Sequence, residues 1–130
     1  FIDDIYNLVN ALKRQSELIF IREKDYIQNP KPNGYRSFHV IIAVPVYYLD
    51  TMEYFPVEIQ LRTMTMDLWA SMEHRVCYKK LPEHRDELAE AFCQYADILG
   101  KIEEQFEAYN ETGMLEEITP AQITENPTEG

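Results

Sequence analysis

An α+β chain, with helices packed on a small sheet, is what this sequence predicts. Two changes of period carry the prediction. Apolar residues recur at helical spacing over residues 1–15 and again after residue 63, but at every second position over 38–44 and 57–61. The third observation is the turn punctuation Asn29-Pro30-Lys31-Pro32-Asn33-Gly34, which marks where the paired strands begin.

Phe1, Ile5, Leu8, Val9 and Leu12 recur at the spacing of a first helix. Asp3 and Asp4 lie near its start and Lys13 and Arg14 near its end, as the macrodipole prefers. The chain opens inside this pattern and without a methionine, so natural sequence is expected before Phe1. Residues 18–28 start apolar and turn polar, as in a strand that leaves the core and brings Lys24 and Tyr26 to its rim. Pro32 biases Lys31 toward extended backbone, and Gly34 can take angles closed to other residues. A tight turn over 31–35 then delivers Tyr35 to the next strand.

In that strand Phe38, Val40, Ile42 and Val44 share one face, opposite Ser37, His39, Ile41 and Ala43. Val57, Ile59 and Leu61 likewise oppose Glu58, Gln60 and Arg62, and a loop from about Tyr48 to Glu53 joins the runs as a hairpin. If the apolar faces coincide, the other face carries His39, Glu58, Gln60 and Arg62 beside a loop bearing Lys31 and Tyr35. An antiparallel sheet with one wet face shows the same alternation and does no chemistry. Periodicity leaves both readings open.

Thr63 can cap a helix with the inner stripe Met66, Trp69, Met72 or Glu73, and Val76, in which Trp69 and Met72 read as core. Because this helix leaves the end of the Glu58 strand, Asp67, Ala70, Glu73 and His74 can lean over the same mouth. A last helix runs from near Pro82 and Glu83 to about Asn110. Its Leu88, Phe92, Tyr95, Leu99, Ile102 and Phe106 alternate in steps of four and three, a heptad seam that either packs on its own domain or joins copies of the chain. Residues 111–130 hold five Glu and no Lys or Arg, the composition of a disordered acidic tail.

A length of 130 residues suits one domain with a real core. No apolar run approaches the roughly 20 residues of a membrane span and no signal peptide opens the chain, so a cytoplasmic location is expected. Cys77 and Cys93 lack metal or redox spacing and read as reduced, small apolar residues. The net charge of −11 argues against binding nucleic acid or an anionic membrane. It leaves room for a small phosphorylated ligand on a local cluster of Arg22, Lys24, Lys31 and Arg36.

Three motifs in order, Lys31-Pro-Asn-Gly-Tyr-Arg-Ser-Phe-His39, Val57-Glu-Ile-Gln-Leu-Arg-Thr63 and Trp69-Ala-Ser-Met-Glu-His74, resemble the synthetase domain of RelA/SpoT-type alarmone synthetases. The compact layout is similar to the small alarmone synthetases of bacteria. That resemblance implies a nucleotidyltransferase-like α+β fold, a mixed sheet flanked by helices with a long C-terminal helix. Residues 1–110 would be the C-terminal portion of the synthetase domain, with the last helix a possible contact in a homo-oligomer. The implied activity is that of a GTP pyrophosphokinase, which moves pyrophosphate from ATP to the 3′-hydroxyl of GDP or GTP and makes (p)ppGpp in the stringent response.

Carried over by position, Glu58 would activate the 3′-hydroxyl and help hold Mg2+. Tyr35 would stack on guanine, while Lys24, Lys31 and His39 would meet phosphates or ribose. Asn33, Asp67 and the Ala70 to His74 turn, with Glu73, would shape the guanine pocket, and Gln60 and Arg62 would contact substrate. One geometric expectation underlies these roles: Glu58 and the Tyr35 ring share a cavity. The alternative is a catalytically silent module that binds guanine nucleotide, from which Glu58 distinguishes an enzyme. The family's upstream strand, with a second acidic magnesium ligand and basic residues for ATP, is not found in this sequence. The intact parent is therefore expected to be active and this chain alone not.

Overall fold

The computed structural model describes residues 1–78 and 82–112. In order these form α1 (Ile2–Lys13), β1 (Ile19–Asp25), β2 (Phe38–Tyr48), β3 (Thr51–Leu61), α2 (Met64–Cys77), a 3-10 turn (Pro82–His84) and α3 (Arg85–Glu111). The acidic tail expected after the last helix lies outside the described residues, apart from Glu111 and Thr112 at the end of α3.

The strands form one sheet in the order β1-β2-β3, and both pairings are antiparallel. The mixed character implied by the resemblance is thus not present among the described strands. Two residues, Leu49 and Asp50, join β2 to β3, whereas a parallel pair would require a crossover of a dozen or more. That turn is tighter than the loop expected from the sequence, and Leu49 enters the left-handed region with φ 54°.

Phe38 opposes Leu61, Val40 opposes Ile59 and Ile42 opposes Val57, so the apolar faces of the hairpin coincide. α1 covers that face, and Ile5, Val9, Phe38, Val40, Ile42 and Met66 make the main core. Polar residues of β1 on this side find partners on α1. Lys13 pairs with Glu23 at 2.9 Å, and Tyr6 Oη donates to Asp25 Oδ2 at 2.7 Å. Burial and that bond push the Tyr6 phenol up to about 12.

A bulge between Phe20 and Arg22 resets β1. Phe20 pairs with Ile42 on the core side, yet Arg22 pairs with Ile41 and Lys24 with His39 on the opposite face. The extra residue, Ile21, reverses the alternation and so brings two cations to the polar side of the sheet.

α2 and α3 pack together through a second cluster of Trp69, Phe92 and Ala96. Two details of the expected stripes differ. On α2, Met72 and Val76 are exposed, and the inner face runs instead through Met66, Trp69, Ala70 and Cys77. On α3 the heptad seam divides: Leu88, Phe92 and Leu99 turn inward, while Tyr95, Ile102 and Phe106 stay exposed.

The inward face of α3 was set by small and polar positions that an apolar count overlooks. Gly34 (φ +95°) presses on it so closely that an added Cβ would stand 2.9 Å from Ala96 Cβ. Arg36 crosses Gly100 to reach Asp97 at 3.0 Å, and Glu103 is buried. The Lys31 to Tyr35 turn is therefore seated directly on α3. Within it, Gly34 N donates to Lys31 O at 2.8 Å and Asn33 Oδ1 accepts from Tyr35 N at 3.0 Å.

Candidate active site

Strand register builds the polar face in two rows. Arg22, Ile41 and Glu58 align across the sheet, as do Lys24, His39 and Gln60. Asp25 finishes the edge: its Oδ1 accepts from the amides of Ile27 and Gln28, and Tyr26 N donates to Ser37 O. That local turn holds the Tyr26 ring 5.2 Å from His39. Arg22, Lys24, Tyr26, His39, Ile41 and Glu58, with Glu23 and Lys31, line a recess of about 160 Å³.

A continuous chain of polar contacts leaves this recess. Glu58 Oε1 lies 3.3 Å from His39 Nδ1, and His39 Nε2 lies 3.0 Å from Tyr35 Oη. Arg62 Nη2 donates to Tyr35 Oη at 2.9 Å and to Gln60 Oε1 at 2.8 Å, while Nη1 reaches Asp67 Oδ1 at 3.4 Å. Proton counting orients the chain. Tyr35 Oη accepts from Arg62, so its own proton goes to His39 Nε2, and a neutral imidazole then donates from Nδ1 to Glu58.

The electrostatics agree with a neutral ring. Burial lowers the pKa of His39 below the ordinary histidine value, with Glu58 opposing and Lys31 and Arg62 reinforcing the shift. Burial also opposes the charge of Arg62, but its bonds to Tyr35 and Asp67 leave its pKa raised.

The depressed imidazole has a consequence for stability. Below the unperturbed value of 6.5 the unfolded chain binds a proton that the folded chain does not, so acid favours unfolding. Stability is expected to fall as pH drops through 6.5, until the lowered folded value is passed. Thermal midpoints of the protein and of His39→Gln on either side of that pH check this. An equal acid slope in both would show that His39 does not supply it.

Beyond Tyr35 lies a second recess of about 370 Å³, lined by Tyr35, Arg62, Ala70, Ser71, Glu73 and His74. The Tyr35 ring is set edge-on to Trp69, with centroids 6.1 Å apart, and Trp69 is anchored by Nε1 donating to Phe92 O at 2.7 Å. Lys31 Nζ stands 5.0 Å from the Tyr35 centroid and Arg62 Cζ 5.4 Å from it.

Glu58 and Tyr35 thus line two adjoining recesses joined through His39, rather than one cavity. Lys24, Lys31, His39 and Glu58 meet in the first, and Tyr35, Arg62, Ala70, Glu73 and His74 in the second. Gln60 and Asp67 join through Arg62. Asn33 lines neither; it shapes the turn and faces a separate hollow with Glu73 and Phe92. Of the four clustered cations, Arg36 turns away to Asp97, while Arg22, Lys24 and Lys31 converge. Sequence reasoning left Tyr26 and Ile41 out of the site, whereas Ser71 falls within the Ala70 to His74 turn that the motifs had assigned to it. The polar run of β1 already pointed to Tyr26, and alternation put Ile41 on the face of His39, but its apolar side chain gave no chemical reason to name it.

Residues 1–83 match the family model described as the region found in RelA / SpoT proteins. The chain belongs to the RelA/SpoT family. Among relatives in this family, the chain is 47% identical over 105 residues to GTP pyrophosphokinase YwaC of Bacillus subtilis, covering 81% of this chain and 50% of that protein. To GTP pyrophosphokinase YjbM of the same organism it is 35% identical over 79 residues, covering 61% and 37%. The chain therefore spans half or less of these curated relatives.

Solved RelA/SpoT-family structures superpose on the same α+β arrangement with its long last helix. The small alarmone synthetase 2 of Bacillus subtilis gives a TM-score of 0.78 at 43% identity, covering 86% of this chain and 62% of that one. Small alarmone synthetase 1 of that organism, bound to its product pppGpp, gives 0.77 at 27% identity, with coverages of 88% and 58%. No helix among the described residues is long and apolar enough to cross a membrane.

Proposed function

We propose that residues 1–110 form the acceptor-nucleotide part of a (p)ppGpp synthetase domain, in which pyrophosphate passes from ATP to the 3′-hydroxyl of GDP or GTP. The observation that carries this reading is the position of Glu58. It sits beside a three-cation recess and at the head of the chain that runs through His39 to Tyr35 and Arg62.

Guanine would lie against Tyr35 in the larger recess, near Ala70, Glu73, His74 and the Arg62–Asp67 pair. Ribose would meet His39, and phosphates would meet Lys24, Lys31 and Arg22. The 3′-oxygen attacks the β-phosphorus of ATP, the bond to the α,β-bridging oxygen breaks, AMP leaves, and Glu58 takes the hydroxyl proton. A silent binding module would have no use for a carboxylate at that point.

Mg2+ fits the donor set as a partly protein-bound ion. Glu58 offers a half-exposed carboxylate, and magnesium is commonly held by one or two carboxylates together with substrate phosphates. Its contribution would be to neutralise charge on the transferring group. The other acid beside the recess, Glu23, is paired with Lys13. A reaction that draws on ATP and guanine nucleotide belongs in the cytoplasm.

With the second acidic ligand and the ATP grip not identified in these residues, the chain alone is expected to bind GDP weakly and to transfer nothing. Calorimetry with GDP and a chromatographic assay of ATP plus GDP test both halves. Undetectable GDP binding would refute the acceptor site, and ppGpp formed by this chain alone would refute its incompleteness.

Tyr95, Ile98, Ile102, Phe106 and Tyr109 leave an exposed apolar stripe on α3, which we assign to a homo-oligomer contact. Leu99, although in the heptad seam, packs inward with Trp69 and is unsuited to testing this. Sedimentation of Ile102→Glu should show a smaller mass than the unmodified chain. Equal masses would remove the stripe from consideration as the contact.

A further inference from the structure

Arg62 occupies the junction where β3 ends and α2 begins, and its guanidinium joins Tyr35, Gln60 and Asp67. The junction itself is held from outside both recesses. Glu103 on α3 is only 7% exposed, and its Oε2 accepts from Thr63 Oγ1 at 3.1 Å and from Thr65 Oγ1 at 2.8 Å. No residue of α3 lines either recess.

The two bonds do more than attach a helix. Thr63 is the N-cap of α2, and its Oγ1 must accept the Met66 N–H, 3.3 Å away. The two threonine oxygens are 3.2 Å apart. Without an outside acceptor the Thr65 hydroxyl can turn onto Thr63 Oγ1 and compete for the lone pairs that cap the helix. Glu103 draws both hydroxyl protons to itself, so the capping oxygen faces Met66. Asp67 N donates to Thr63 O at 2.9 Å in the same first turn, and Asp67 is the carboxylate partner of Arg62. One buried carboxylate thus governs the residue after Arg62 and, through the cap, the acid that Arg62 meets.

We propose that Glu103 is a positioning residue for the guanine-nucleotide site. From α3, without touching ligand, it fixes the Thr63 cap and so the direction in which Arg62 offers its guanidinium to Tyr35. The geometric part rests on the hydrogen bonds alone, and the consequence for ligand rests on the acceptor-site reading above.

The test reads each part separately in the full 130-residue chain. Nitrogen-15 NMR of the Arg62 side chain, without ligand, should show restricted guanidinium rotation in the unmodified chain and faster rotation in Glu103→Ala. Glu103→Leu fills the space, accepts nothing, and should behave alike, so the outcome survives a failure of the Ala variant to fold. In Glu103→Gln a single amide oxygen can take both hydroxyl protons, as Oε2 does, and should restore the slow rotation.

GDP titration should then show affinity lowered about tenfold in the Ala or Leu variant, a loss the size of a missing cap, and largely recovered in Gln. Val9→Ala, a core change on α1, should lower the thermal midpoint and leave GDP affinity unchanged. Unaltered Arg62 signals in Glu103→Ala or Glu103→Leu, or a Gln variant as impaired as these, overturn the proposal. So does an affinity that merely follows thermal midpoint across all variants, Val9→Ala included. If the unmodified chain binds no GDP, the acceptor-site reading fails, and the Arg62 signals alone decide the positioning role.

Discussion

Glu58→Gln, placed in a protein competent to turn over ATP and GDP, is expected to lower kcat by about three orders of magnitude or more, as for removal of a general base. GDP affinity should change little. The amide has the shape of the carboxylate, and its oxygen can still accept the Nδ1–H of His39, which lies 3.3 Å from Glu58 Oε1. The chain from His39 to Tyr35 and Arg62 therefore keeps its proton order. What is lost is negative charge, and with it both the proton acceptor and the place for a cation. Steady-state rates with direct GDP titration separate the two effects. A Gln variant that retains turnover would remove Glu58 from the chemistry, and one that keeps its rate but loses affinity would make it a binding residue.

Tyr35→Ala should act on the other parameter, raising the acceptor KM about 5- to 150-fold, from stacking worth roughly 1–3 kcal/mol. Tyr35 also accepts from Arg62 at 2.9 Å and bonds His39 at 3.0 Å, so truncation unties both ends of the polar chain. Tyr35→Phe distinguishes the contributions. It keeps the ring and loses the hydroxyl, and should recover most of the affinity if stacking dominates. A Phe variant as weak as Ala would assign the loss to the chain instead. A fall in kcat at unchanged KM would mean that the ring does not hold the base.

The unequal legibility of the site has a physical origin. Alternation placed His39, Glu58 and Gln60 on one face because side chains on a strand repeat every second residue, and the observed register agrees. The motif turn was legible because Pro32 and Gly34 restrict and release the backbone locally. Arg22 was not assignable to that face, since a bulge at Ile21 depends on how β1 meets β2. Alternation put His39 on this face but carried no sign that its ring would bond Glu58 on one side and Tyr35 on the other, so that the two line different recesses rather than one cavity. On α3, counting apolar residues gave a seam that the packed helix splits, because Gly34 meets Ala96 and Arg36 crosses Gly100.

By itself the sequence determined the element order, the face of each hairpin strand, the cap at Thr63 and the family motifs, all of which rest on neighbours along the chain. Only the tertiary structure decided that Arg36 leaves the cation cluster and that α3 buttresses the site through Glu103. Those outcomes depend on groups separated by about 40 to 60 positions, whose meeting is set by helix packing, and local periodicity carries no record of it.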